Sequence, residues 1–173
     1  ADLCGKPMIQ HVYERVLKAG TVSYTAIATD NDLIYMTVLK FGGQVIMTSP
    51  DHQSGTDRIA EAIAGLNLKA EDIVVNIQGD QPLFEPVQID EVVQPLLEDP
   101  AIPMSTLIYR IRRDEEISHP NAVKVVFDEN NFALYFSRAT IPFVRNPGQT
   151  VHYYKHHGIY AYRKGFLEKF TRL

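Results

Sequence analysis

Strand-like and helix-like patterns alternate through the first hundred residues of this chain. That alternation predicts an α/β protein built on a doubly wound, mostly parallel sheet. Ile73, Val74 and Val75 form a β-branched run without polar alternation, as expected of a strand covered on both faces at the centre of such a sheet. Further on, two short apolar runs flank Asp128, Glu129, Asn130 and Asn131. They predict an antiparallel hairpin extension closed by a four-residue loop.

Each element follows from local chemistry. Gly5-Lys6-Pro7 leads into a helix whose first turn tolerates the missing proline N–H, and Ile9, Val12, Tyr13, Val16 and Leu17 recur at helical spacing. Gly20 is a fitting C-cap. Residues 23–28 read as a strand, after which Asp30 is placed to cap a helix that buries Ile34, Val38 and Phe41. Gly42-Gly43 ends that helix before a strand at 44–47. Ser54, with Asp57 three residues on, resembles a capping box, and Ile59, Ile63 and Leu66 make the inner stripe of the helix that follows. A helix at 86–97 shows Ile89, Val92, Val93, Leu96 and Leu97, with Pro95 expected to kink its last turn.

A strand at 104–111 and a helical turn at 114–118 precede the hairpin strands at 122–127 and 132–136. An exposed loop at 144–151, containing Pro147-Gly148, then leads to a strand at 153–163. In it His156, Gly158, Tyr160 and Tyr162 share one face, and His157, Ile159 and Ala161 the other. A last helix starts at Gly165 and is expected to be cut off by the chain's end.

The 173 residues suit one domain with a real core, and no repeats or linkers divide them. A net charge of −4 argues against a generally basic nucleic-acid binder, but not against a small anionic ligand. Cys4 is the sole cysteine, which excludes an internal disulfide and fits a reducing, cytoplasmic setting. No apolar run approaches the ~20 residues of a membrane span. The chain begins without Met, so an upstream segment is expected.

The central strand runs out into Gln78, Gly79, Asp80, Gln81 and Pro82, and open α/β sheets bind ligands at these carboxyl ends. Gly79 permits close backbone approach or a positive φ. Asp80 offers hard oxygens suited to Mg²⁺ held against phosphates, and read alone it also fits a loop carboxylate capping the next turn. Ser54 and Gly55 stand at a helix N-terminus whose N–H groups and dipole favour an anion, with Arg58 as a further anion contact. Arg58 alone also reads as a solvated helix residue. His152, His156 and His157 do not read as a shared metal site, because strand geometry separates His156 from His157. His156 faces a ligand with Tyr160, and His157 packs. Lys124 is expected to point outward, and Tyr135 and Phe136 to serve core or subunit contacts.

Seven segments, in order, resemble the cytidylyltransferases that activate 3-deoxy-manno-octulosonate as its CMP ester. They are Gly5-Lys-Pro-Met8, Ala28-Thr-Asp30, His52-Gln-Ser-Gly-Thr-Asp-Arg58, Val75-Asn-Ile-Gln-Gly-Asp80, Asn121-Ala-Val-Lys-Val-Val126, Ala133-Leu-Tyr-Phe-Ser-Arg-Ala-Thr-Ile-Pro142 and His156-His-Gly-Ile-Tyr160. The resemblance implies a nucleotide-diphospho-sugar transferase-like fold and a Mg²⁺-dependent reaction of CTP with the sugar acid for lipopolysaccharide synthesis. It makes Asp80 the metal-binding, catalytic aspartate. It places Ser54, Gly55, Arg58 and Gln78 around the nucleotide and sugar, and Ser137, Arg138, His156 and Tyr160 on the sugar-acid side. It also implies a homodimer that pairs through the hairpin region.

In that family a basic, glycine-bearing phosphate loop would precede Ala1, and a second metal-binding Asp would follow residue 173. The expectation is that the chain as given lacks activity unless those parts exist. The alternatives carried with this reading are a CMP-sialic acid synthetase and a non-catalytic nucleotide- or sugar-binding homologue.

Overall fold

A computed structural model describes residues 1–146 and 148–172; Pro147 and Leu173, which the sequence reading touches, lie outside the described residues. In chain order the elements are β1 (Asp2–Leu3), β2 (Lys6–Pro7), α1 (Met8–Val16), β3 (Ile27–Thr29), α2 (Asp32–Lys40), β4 (Val45–Met47), α3 (Gly55–Ala64), β5 (Ile73–Asn76), α4 (Val87–Glu98), β6 (Met104–Arg110), α5 (Glu115–Ser118), β7 (Lys124–Phe127), β8 (Ala133–Ser137), β9 (Tyr154–Arg163) and α6 (Lys164–Phe170). The chain forms two compact units. One holds residues 1–105 and 159–172, the other Thr106–Gly158.

In the first unit Cys4 and Gly5, both at positive φ, close a small antiparallel pair of β1 and β2 that the sequence does not announce. Pro7 sits just before α1. That helix ends at Val16 with Leu17 as its C-cap, short of the expected Gly20, whose N–H goes to Asp90 Oδ2 (3.2 Å). β3 and β4 pair in parallel, with Ile27 opposite Val45 and Thr29 opposite Met47.

The cap of α2 is Asn31, not Asp30. Its side-chain oxygen accepts from the N–H groups of Leu33 (3.0 Å) and Ile34 (3.1 Å), while Asp30 is turned toward Arg58. Of the expected buried stripe only Val38 is fully enclosed, and Ile34 is exposed. In α4, Ile89, Val92, Val93 and Leu96 are buried, Leu97 is exposed, and Pro95 lies inside the last turns.

β5 does not take up the parallel surroundings its composition suggests. It pairs antiparallel with the C-terminal half of β9, Ile73 opposite Arg163 through Asn76 opposite Tyr160. The strand is apolar because helices pack on its faces, Val74 against the cluster of Ile63 and Leu167, and the direction of the strand at its edge does not change that burial. The α/β class and the hairpin stand, but of the pairings described only β3 with β4 is parallel, while β1 with β2, β5 with β9, β7 with β8 and β7 with β9 are antiparallel, against the mostly parallel sheet expected. Ile63, Tyr162 and Leu167 centre one core cluster, with Ile59, Leu66, Val74 and Met104 packed on it. α6 ends at Phe170 with Thr171 as its cap, so it closes before the chain does.

In the second unit β7 lies between β8 and the start of β9. Lys124 is opposite Ser137 on one side and Lys155 on the other. The hairpin forms as expected: Asp128 Oδ1 accepts from the N–H groups of Asn130 (2.9 Å) and Phe132 (2.8 Å), and Asn131 supplies the positive φ. Lys124 is a correction to the sequence reading. It is fully buried, because β7 is flanked on both edges, and its ammonium donates to the His119 carbonyl (2.9 Å). Tyr135 and Phe136 stand exposed. No helix among the described residues is long and apolar enough to cross a membrane.

Candidate active site

In the first unit the candidate residues gather at strand ends and at one helix N-terminus. Ser54 is extended (φ −138°, ψ 158°). Its hydroxyl accepts from the Asp57 N–H (3.1 Å), which makes Ser54 the expected N-cap, and donates to the Asp57 carboxylate (2.7 Å) in place of the backbone return bond of a capping box. Gly55 opens α3. A Cβ built there would lie 3.7 Å from Gln78 Nε2, which places the amide that follows β5 beside the start of α3. Ser54, Gly55 and Gln78 are thus one local group.

Gly79 does not take a positive φ, and a Cβ there would make a tight approach, 3.1 Å, to Ile9 Cδ1. Asp80 follows on the loop, exposed, and its carboxylate makes no ion pair or hydrogen bond among the described residues. It therefore does not cap the next turn. No group of three or more His, Cys, Asp or Glu side chains suited to a metal occurs among the described residues. A divalent cation at Asp80 would take most of its oxygens from a ligand and water. A hard, exposed, uncommitted carboxylate fits Mg²⁺ held that way.

Arg58 is partly committed inside the fold. Its guanidinium donates to Asp30 Oδ2 (2.8 Å), to Thr48 Oγ1 (2.7 Å) and more weakly to the Ser49 carbonyl (3.3 Å). It ties α3 to the carboxyl ends of β3 and β4. Sequence reasoning missed Asp30 and Thr48 as its partners. The available signal was their position, each directly after a strand of the parallel pair. His52 and Glu61 form a second tie, a close side-chain contact. The hydrogen bond from His52, then that from the Ser49 N–H, holds the Glu61 carboxyl below its usual range.

Tyr160 also belongs to this unit. It stands opposite Asn76 at the end of β5 and stacks on Tyr162 at 5.9 Å, as the shared strand face requires. Burial raises its phenol pKa.

The second unit holds Ser137, Arg138 and His156. Ser137 Oγ accepts from the Ala139 N–H (3.0 Å), and Arg138 donates to the Pro120 carbonyl (2.9 Å). His156 is pinned from three sides. Its backbone N–H donates to Val123 (2.8 Å), its Nε2 meets Thr106 Oγ1 (2.8 Å), and its ring packs edge-on against Phe136 (5.2 Å). Burial, followed by the neighbouring His157, holds its imidazole below the usual histidine pKa. The three histidines go to different partners: His152 meets Arg110 (2.8 Å), His156 meets Thr106, and His157 packs against Tyr109 (5.6 Å).

The family model for cytidylyltransferases matches residues 1–173. The chain is 69% identical to a 3-deoxy-manno-octulosonate cytidylyltransferase of Syntrophus aciditrophicus, a match over all of this chain and 70% of that protein. It is 49% identical to an 8-amino-3,8-dideoxy-manno-octulosonate cytidylyltransferase of Shewanella baltica, over all of this chain and 71% of that one. Among solved structures, a CMP:2-keto-3-deoxy-manno-octonic acid synthetase complexed with CTP superposes with a TM-score of 0.93. That match has 43% identity and covers all of this chain and 70% of the other. Sequence and fold agree end to end, and the chain belongs to the 3-deoxy-manno-octulosonate cytidylyltransferase family.

Proposed function

We propose that this protein transfers CMP from CTP to 3-deoxy-manno-octulosonate, releasing pyrophosphate. The observation that carries the reading is the 69% identity, along the whole chain, to a relative named for that activity. The anomeric hydroxyl of the sugar acid attacks the α-phosphorus of CTP, and pyrophosphate leaves. Such a step needs alignment of the nucleophile and neutralisation of phosphate charge more than covalent help. The N-terminus of α3, with Ser54 and Gly55, and the Gln78 amide offer donors to the nucleotide. Arg58 braces the start of α3 against the carboxyl ends of β3 and β4. Asp80 would hold Mg²⁺, which when bound neutralises and orients the phosphates. Ser137, Arg138, His156 and Tyr160 serve the sugar-acid side, Arg138 with a fork suited to a carboxylate. The setting proposed is lipopolysaccharide synthesis in the cytoplasm, by a homodimer.

One observation favours a second substrate: the Shewanella relative is named for the 8-amino sugar. The test supplies the full-length protein with CTP, Mg²⁺ and one acid at a time: the hydroxyl sugar, its 8-amino analogue, or N-acetylneuraminate. Pyrophosphate release with the hydroxyl sugar as the preferred acid is expected. Preference for the 8-amino acid would move the assignment to that substrate, and release with none would sink both.

A further inference from the structure

We infer that Lys124 is a positioning residue for Arg138, pinning the segment whose carbonyl aims that guanidinium at the carboxylate of the sugar acid. This rests on the reading that Arg138 serves the sugar-acid side. Lys124 lies at the start of β7, between Ser137 of β8 and Lys155 of β9, and is fully buried. Its ammonium has one hydrogen-bond partner among the described residues, the His119 carbonyl at 2.9 Å. The next carbonyl along, that of Pro120, is the one Arg138 grips, also at 2.9 Å. Thr140 Oγ1 holds the Ile117 carbonyl (3.0 Å), and Lys155 holds the Glu116 carboxylate (2.9 and 3.0 Å). Four side chains from β7, β9 and the tail of β8 thus fix residues 116–120, and two of them take adjacent carbonyls.

A buried ammonium without a carboxylate is a poor way to stabilise a core, since an apolar side chain would fill the space at no desolvation cost. Lys124 makes no ion pair among the described residues. Burial and the like charge of Arg138 both work against its charged form. What the lysine supplies, and an apolar residue would not, is a donor that locks His119 and, through it, the Pro120 carbonyl. A guanidinium held at one nitrogen keeps its other donors in a fixed direction, which is the preorganisation that bidentate carboxylate recognition needs. Lys124 does not touch the ligand; it acts through Arg138.

The experiment measures kcat and both KM values, with thermal melting, on the full-length enzyme and on Lys124→Met, Arg138→Ala and the double variant. Loss of a hydrogen bond to a charged donor corresponds to about a tenfold rise in KM for the sugar acid in Lys124→Met, with KM for CTP moving less than about twofold. In the Arg138→Ala background Lys124→Met should add little, because the two act as a unit. Should Lys124→Met fail to fold, Thr140→Val replaces it in the same cycle; it releases the Ile117 carbonyl and should move the acid KM in the same direction by less. An unchanged acid KM, both KM values rising together, or full additivity with Arg138→Ala overturns the proposal. A wild-type enzyme that does not use the acid overturns the functional reading itself, which is a separate result.

Discussion

Asp80 and Lys124 are both charged, and their surroundings give them opposite tasks. Asp80 stands exposed after β5 with no partner among the described residues, so nothing in the fold depends on its charge. Asp80→Asn keeps the shape and removes the charge. Turnover should fall on the order of 10²-fold, as when one preorganised stabilising group is lost, with melting unchanged. Steady-state rates across a Mg²⁺ titration check it, and near-normal turnover at low Mg²⁺ would exclude a metal role. The place of Asp80 was legible because a strand end followed by Gly and Pro is a local pattern. The burial of Lys124 was not, because it depends on β8 and β9 both flanking β7, and neither contact is written near residue 124. Arg58 lies between these cases: its helix was readable, its ion pair with Asp30 was not.

The start of α3 shows how an element can carry stability and chemistry at once. The Ser54 hydroxyl satisfies the Asp57 N–H, and Gly55 beside it lies next to the Gln78 amide. Ser54→Ala removes the cap and should cost about 1 kcal/mol, seen as a melting point lower by about 3 °C. Ser54→Asp keeps a good cap but sets a negative charge where phosphate is expected. It should raise KM for CTP by about tenfold, a like charge at the dipole's positive end opposing the anion, while repulsion from the neighbouring Asp57 carboxylate lowers the melting point. If both variants bind CTP normally, Ser54 is a cap and nothing more. The Ser54 cap and the apolar stripes were legible because their partners lie within one or two turns. β5 misled because an apolar strand reveals that it is covered, not which strand covers it; its partner β9 arrives from the far end of the chain. Gly20 misled for a related reason, its N–H being taken by Asp90 on a distant helix.

At the scale of the whole molecule the open question is what covers β8. Among the described residues this strand pairs with β7 alone, so it presents a bare edge. It is also exposed on both faces: Leu134 is 67% exposed and Tyr135 62%, with Phe132 just before it at 56%. Apolar edge strands left in water invite pairing with another chain, and soluble proteins cover or blunt them. Here the sequence Ala-Leu-Tyr-Phe-Ser carries no charge, proline or other blunting device. A second copy meeting the same surface across a two-fold axis would cover both edge and faces at once, because an isologous contact needs only self-complementarity. The expected outcome is a dimer by sedimentation velocity at micromolar concentration. Leu134→Lys or Tyr135→Lys should shift it to monomer while far-ultraviolet circular dichroism stays native. A wild-type monomer would sink the homodimer, and a dimer untouched by both lysines would place the contact elsewhere than β8.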